Sequence, residues 1–264
     1  MTQGARHAFV VPAYGQSPYL RECLASLRAQ TLETPIFIST STPSPWLAGV
    51  ANEFGVALFE HGPNRGIGHD WNRAIAATTA EWVTLAHQDD LYLPHFTMDT
   101  LHCVDRHPTA DLVMTGYGEL ADGRVRSWTP MLAVKRLLEE QAFLGRGALA
   151  HRSAKRRLLA FGCAIPCPTV TLRRHLATGL FREDLKVDLD WDAWLRLADA
   201  PGSFARVQRL CMLHRIHAAS ETSDGVRGGV RAREDRAMFE RLWPAPIAAM
   251  LARLYALGYE AGEP

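Results

Sequence analysis

No run of apolar residues in this chain approaches the roughly 20 that a membrane-spanning helix needs. The segment from Met1 to His7 is polar and has no apolar signal core. The expectation is a chain that spans no membrane and works in the cytoplasm. Cysteine is sparse and unpatterned. Cys23, Cys103, Cys163, Cys167 and Cys211 are odd in number, and only Cys163 and Cys167 are close. With no second ligand pair, neither a zinc site nor a disulfide framework is expected, and the thiols read as reduced. An excess of one charge is also missing. Lys and Arg number 29 against 28 Asp and Glu, for a net charge of +1, so no nucleic-acid partner is expected. Neither glycine fingerprint of nucleotide enzymes occurs after the first apolar run, where Pro12-Ala13-Tyr14-Gly15 stands instead. That excludes a nicotinamide dehydrogenase and a P-loop kinase. Internal repeats and low-complexity segments are absent as well.

What is there is an ordinary globular composition, 47% hydrophobic and 22% charged over 264 residues, enough to bury a core without covalent staples. Short apolar runs alternate with helical patterns. Ala8 to Val11, Ile36 to Thr40, Val56 to Phe59, Trp82 to Ala86 and Leu112 to Thr115 read as buried strands. Between them, Pro18 to Gln30 predicts a helix capped by Ser17, with Leu20, Cys23, Leu24 and Leu27 on one face. Trp46 to Phe54, Ile67 to Ile75 and Pro94 to Arg106 predict others. This alternation implies a parallel sheet covered on both faces, with ligands bound at the carboxyl ends of its strands. In the second half, Met131 to Leu149 and Asp190 to Asp199 read as helices, Val170 to Leu172 and Arg206 to His217 as strands. The Gly-rich, charged stretch Ser223 to Arg236 reads as mobile. Ile247, Met250, Leu251 and Leu254 form the apolar stripe of a C-terminal helix, expected to pack on the domain or to pair with a second subunit.

Chemistry concentrates after the strands. His87-Gln88-Asp89-Asp90 follows the fourth one. Two adjacent carboxylates at the end of a buried strand repel unless compensated. They suit a hard divalent ion bound with substrate phosphates, or else they cap a turn. Tyr14 can stack on a flat base or line the core. Gly66 and Gly68 precede a helix, where backbone N–H groups can meet phosphate or simply turn. Asp188-Leu189-Asp190-Trp191-Asp192 carries more acid than helix capping requires, so a general base is a candidate. His217 is a possible metal ligand and Arg215 a possible phosphate contact. Trp191 and Trp194 fit a sugar platform or a core. The basic stretch Arg152 to Arg157 reads as a solvated helix face.

Taken in order, Val11-Pro12-Ala13-Tyr14, Leu20 to Gln30, Asn64-Arg65-Gly66 through Asn72, Asp89-Asp90, Asp190 through Ala198, and Arg215-Ile216-His217 resemble the family 2 glycosyltransferases of the GT-A fold. The resemblance implies a Rossmann-like, mostly parallel α/β sheet with helices on both faces, a less regular acceptor-side half and a C-terminal helical segment. It implies a metal-dependent, inverting transfer from a UDP-, dTDP- or GDP-sugar to a small-molecule or glycan acceptor, with Mg²⁺ or Mn²⁺ as cofactor. Residue by residue, it places Pro12, Ala13 and Tyr14 at the nucleobase. It places Gly66, Asn72, Gln88, Asp90 and Arg215 at the donor, Asp89 and His217 on the metal, and Asp190 as the base. His87 stands where the family usually has the first Asp of its Asp-x-Asp motif. Trp71 stands where an Arg often precedes Asn72, and the second strand ends without the family's acidic residue. The implied division is a glycosyltransferase domain over 1–222, split into a donor half (1–117) and an acceptor half (118–222), then a helical extension over 223–264. A sugar nucleotidyltransferase and a non-catalytic scaffold are the competing readings. A homodimer is possible.

Overall fold

The computed structural model describes residues 4–217 and 229–260. The first half runs β1 (His7–Pro12), α1 (Leu20–Arg28), β2 (Ile36–Thr40), α2 (Pro45–Phe54), β3 (Ala57–Glu60), α3 (Ile67–Ala76), β4 (Trp82–Leu85), β5 (Leu91–Tyr92) and α4 (Phe96–Arg106). The second runs β6 (Ala110–Ala121), β7 (Arg124–Arg126), α5 (Pro130–Phe143), β8 (Ala148–Leu149), α6 (Arg152–Leu158), β9 (Val170–Arg173), α7 (Arg174–Ala177), α8 (Leu189–Asp199), β10 (Ser203–Arg215), α9 (Val230–Glu240) and α10 (Ala245–Glu260). Among the described residues these strands build one sheet in the order β3-β2-β1-β4-β9-β6-β10-β5. β1 to β4 pair in parallel. β9 then enters antiparallel to both β4 and β6, and β10 runs parallel to β6. The strands flanking β9 therefore share one direction, and their carboxyl ends share one edge of the sheet.

Alternation along β1 explains the layering. Phe9 and Val11 face the α1 and α2 side, whereas Val10 faces the larger core that includes α3, Trp191 and Trp194. The predicted stripe of α1 is buried in full. Its start differs from expectation: the helix begins at Leu20, and the Ser17 hydroxyl accepts from the Tyr19 N–H at 3.3 Å instead of capping the first turn. α2 is delimited as its sequence dictates, by a Ser44 cap, Pro45 in the first turn and Gly55 at φ 60° after the last. β3 is not buried. It is the edge strand, and Phe59 is 41% exposed.

Helicity expected through Leu149 stops at Phe143, where Leu144 adopts φ 49° and Gly145 φ 76°, freeing the chain to enter β8. Trp191 and Trp194 are core residues, their indole N–H groups satisfied by the carbonyls of Leu159 and Ile165. The basic stretch is structural rather than a solvated face alone. Lys155 is buried and donates to the carbonyls of Leu197, Ala200 and Gly202 just past α8, while Arg152 and Arg156 pair with Asp199. Residues 218–228, which include the proposed boundary at 222/223 and the start of the Gly-rich stretch, lie outside the described residues. From Val230 that stretch is helical. α9 and α10 pack on the larger core through Met238, Phe239 and Ala248. Of the expected α10 stripe, Leu251 turns inward, but Ile247, Met250 and Leu254 are exposed. The helix is rotated because the aromatic face made by Trp191 and Phe239 is filled by Tyr255.

α3 joins the halves. A Cβ on Gly68 would run into the backbone carbonyl of Arg182 and the side chain of Leu189. In an exposed helix, Gly→Ala stabilises by up to about 1 kcal/mol. Here Gly68→Ala is expected to destabilise by about 1–3 kcal/mol through overpacking, read as a lower denaturation midpoint with an unchanged denaturant slope.

Candidate functional site

The shared strand edge assembles the predicted residues, and strand register explains how. β5 runs antiparallel to β10 with Leu91 opposite Leu213. The next pair outward therefore sets Asp90 against His214. Asp90 is fully buried. One of its oxygens accepts from the Arg215 backbone N–H at 2.8 Å and lies 3.0 Å from His214 Nδ1. The other, Oδ2, is buried with no partner among the described residues. Asp89 meets the far end of the same segment: His217 Nε2 is 2.9 Å from its Oδ2, and the Arg215 Nε–H donates to its carbonyl at 2.8 Å.

Sequence reading missed the residues that steady this arm. The Arg215 guanidinium lies 4.3 Å above the Tyr19 ring and donates to Glu22 at 2.6 Å. Tyr19 also packs on His217 at 5.0 Å. No local pattern marks Tyr19, Glu22 or His214, because their partners are far away in the chain.

His87 completes the cluster. His87, Asp89 and Asp90 each present a ligand atom within 4.8 Å of the others. Burial lowers the His87 pKa, against the upward fields of Asp90 and Asp89, and so favours the neutral imidazole that ligates metals. For Asp89, burial acts upward, but the fields of the surrounding imidazoles and the bond from His217 outweigh it and hold the carboxyl below its usual range. His214 is raised: burial acts downward, and Asp90 overcomes it. Trp71, the second departure from the family pattern, packs against His87 with ring centroids 5.1 Å apart. The two departures are one contact, in which the indole covers the imidazole.

The remaining donor-side residues divide into contact surface and bracing. Tyr14 is 55% exposed, free to meet a planar ligand, with Pro12 half-buried behind it. Ala13 is buried and its N–H is taken by the Ser39 carbonyl. Gln88 bridges to both the N–H and the carbonyl of Tyr14, at 3.2 and 3.3 Å. Gly66 gives its N–H to Asn64. Both amide groups of Asn72 are used on the Phe181 backbone. Gln88, Gly66 and Asn72 therefore hold the loops in place. A cleft of about 360 Å³ lined by Asp99, Arg106, Arg146, Arg206 and Arg209 contains none of the predicted residues.

Asp190 lies in the first turn of α8, half-buried, with Oδ1 accepting from the Trp191 N–H at 2.7 Å. Burial raises its pKa above the ordinary carboxylate value, toward the range that suits a general base. His87 feels the fields of Asp89, Asp90 and Asp190, and buried Cys167 those of Asp190 and Asp90. Asp190 and the Asp89–Asp90 pair, about 100 positions apart in the sequence, thus act on the same groups.

Just behind Asp190, Asp188 faces Asp235 of α9. Burial raises both, Asp188 well above its ordinary value and Asp235 to about 6. A carboxyl raised in the folded state binds its proton more tightly there than in the unfolded chain. Its contribution is fully present below the unfolded value of about 4 and is lost as pH rises through about 6. Asp235 is therefore expected to lower stability across that window, and Asp188, raised further, to continue the fall above it. In Asp235→Asn, which keeps the hydrogen bond without the titration, melting temperature followed from pH 4.5 to 7 is expected to fall less.

The profile of glycosyl transferase family 2 matches residues 8–176, more than half of the chain. The chain is 23% identical over 219 residues to an uncharacterized glycosyltransferase of Rickettsia typhi, covering 82% of this chain and 64% of that protein. It is 24% identical over 224 residues to another from Rickettsia prowazekii, covering 82% and 65%, so it spans just under two thirds of these relatives. Staphylococcus aureus TarS 1–349, solved with UDP-GlcNAc, aligns with a TM-score of 0.62 at 15% identity over 94% of this chain and 70% of that one. The mannosyltransferase PcManGT from Pyrobaculum calidifontis, solved with GDP-Man and Mn²⁺, aligns with a TM-score of 0.62 at 14% identity over 100% and 77%. Likeness at such low identity establishes the fold, a GT-A arrangement. The chain belongs to glycosyl transferase family 2.

Proposed function

We propose that this protein moves a sugar from a nucleoside-diphosphate sugar to a hydroxyl or amine of a small-molecule or glycan acceptor. The displacement is single, inverts the anomeric carbon and depends on a divalent metal. The observation that carries the reading is the convergence of His87, Asp89 and Asp90 with Arg215 and His217 at the strand ends, beside an acid of raised pKa, Asp190. The ligands of the solved structures it resembles, UDP-GlcNAc and GDP-Man with Mn²⁺, support a donor of this class with uracil or guanine as its base.

The residues present fit a divalent cation. Asp90 Oδ2 and His87 Nε2 are buried with no partners among the described residues, a cost of about 1–3 kcal/mol each that coordination would relieve. Asp89, Asp90 and His87 would hold the ion, with His217 beside them. When bound, it would neutralise charge on the departing diphosphate. Tyr14 offers its exposed ring to the base. Arg215 keeps N–H donors beyond those given to Asp89 and Glu22, and these would serve the diphosphate oxygens. Asp190, oriented through Oδ1 by the Trp191 N–H, takes the acceptor proton on its other oxygen as the acceptor attacks the anomeric carbon and the carbon–diphosphate bond breaks.

Calorimetry against UDP, dTDP and GDP, each with and without Mn²⁺, tests the reading. Metal-dependent binding of one nucleotide is expected, and binding of none by folded protein would refute it. An imidazole among the ligands disfavours Mg²⁺ relative to Mn²⁺, so Mn²⁺ is expected to support tighter binding. Asp89→Ala is expected to weaken metal-dependent binding by more than about 100-fold, since even outer-shell losses reach 10–100-fold. Asp190→Asn is expected to lower kcat about 10²–10⁴-fold with nucleotide affinity unchanged. Wild-type turnover in that variant would remove Asp190 from the base role.

A further inference from the structure

The turn that delivers Asp190 is gripped from the C-terminal unit. Three consecutive backbone N–H groups, those of Lys186, Val187 and Asp188, donate to the carboxylate of Glu234 on α9, at 3.0, 2.9 and 3.0 Å. Such a row of amides forms an anion nest. Here the anion is a side chain of the same molecule. Among the described residues no other acceptor takes these three N–H groups. Around them the unit makes further contacts. Buried Asp235 faces Asp188, the Phe239 ring stands at 88° to Trp191 with centroids 5.0 Å apart, and Arg241 pairs with Asp192 at 2.6 Å. Residues on both sides of Asp190 are thus fixed by one helix, while the Asp190 carboxylate keeps its hydrogen bond within its own turn.

We infer that Glu234 is a positioning residue for Asp190, and that the C-terminal helices belong to the catalytic unit. The inference rests on the proposed role of Asp190 as base. The physical ground is tolerance. A base acts only within hydrogen-bond reach of the acceptor proton, and a misplacement of about 1 Å costs about 10²-fold in rate. Residues 186–188 precede α8, and among the described residues their N–H groups have no partner but Glu234, so the Glu234 carboxylate holds the turn from which the helix starts at the Asp188 carbonyl. The family profile ends at residue 176, before both Asp190 and Glu234.

The test compares wild type, Glu234→Ala and Glu234→Gln as full chains. Hydrogen–deuterium exchange over residues 185–189 reads the grip. Calorimetric titration of UDP and GDP with Mn²⁺ reads the donor site, and nucleoside diphosphate release from UDP-GlcNAc and GDP-mannose reads turnover. Glu234→Ala is expected to speed exchange over 185–189 by about tenfold or more, to leave nucleotide affinity and donor KM within about twofold, and to lower kcat about 10–100-fold. Glu234→Gln, which retains an acceptor oxygen, is expected to recover part of both losses, and it carries the comparison if the alanine variant does not fold. Unchanged exchange overturns the inference, as does faster exchange with unchanged kcat. If wild type binds neither nucleotide, the donor reading has failed instead, and the exchange result alone decides whether Glu234 holds this turn.

Discussion

The burial of Asp90 governs the architecture of the site. A carboxylate removed from water is tolerated only with compensation, and its partners come from the end of a strand far away in the chain. To deliver them, β10 must lie along β6 and then pair antiparallel with the two-residue β5. That one register brings Arg215 under Tyr19 and onto Asp89, and His217 onto the Asp89 side chain. The compensation is incomplete, because Asp90 Oδ2 has no partner among the described residues. The unmet acceptor faces the same cluster as His87, which is where positive charge is called for.

A second constraint is the closeness of α3 to the acceptor-side half. Gly68 admits the carbonyl of Arg182, and Asn72 spends its amide on Phe181. Trp71 fills the remaining space between Phe181 and His87, with ring centroids 4.9 and 5.1 Å away. An imidazole in place of a carboxylate at position 87 lets the ring pack against the Trp71 indole in this wall. The family pattern is altered at both positions together, in a way that keeps the wall dry and well packed.

The C-terminal helices carry out the corresponding task for Asp190. Their aromatic residues close the core over Trp191, and their acids and arginine hold the backbone and side chains on either side of the candidate base. The charges of α9 that make the stretch look solvated and mobile in sequence, Arg231, Glu234 and Asp235 among them, include those that bind it to the turn before α8.

Local chemistry in the sequence determined the strands, most helices and the ordered motif set. Apolar runs of β1, β2 and β4 need burial on both faces, the Ser44–Pro45 start and Gly55 stop of α2 act within a few residues, and the acids at 89, 90 and 190 stand out wherever they fall. The sequence did not reveal which polar residues act and which brace. Asn72, Gln88 and Gly66 look like donor contacts in one dimension, and in three their hydrogen bonds are already spent on neighbouring loops. Tyr19, Glu22, His214 and Glu234 carry no signal, because each acts on a residue at least 46 positions away or on a segment folded back onto it. β3 reads as buried but is an edge strand, and of the α10 stripe only Leu251 turns into the core while Ile247, Met250 and Leu254 are exposed on this chain, because exposure depends on what packs alongside. Periodicity reports a side chain's face on its own element; only the tertiary structure decides what that face meets.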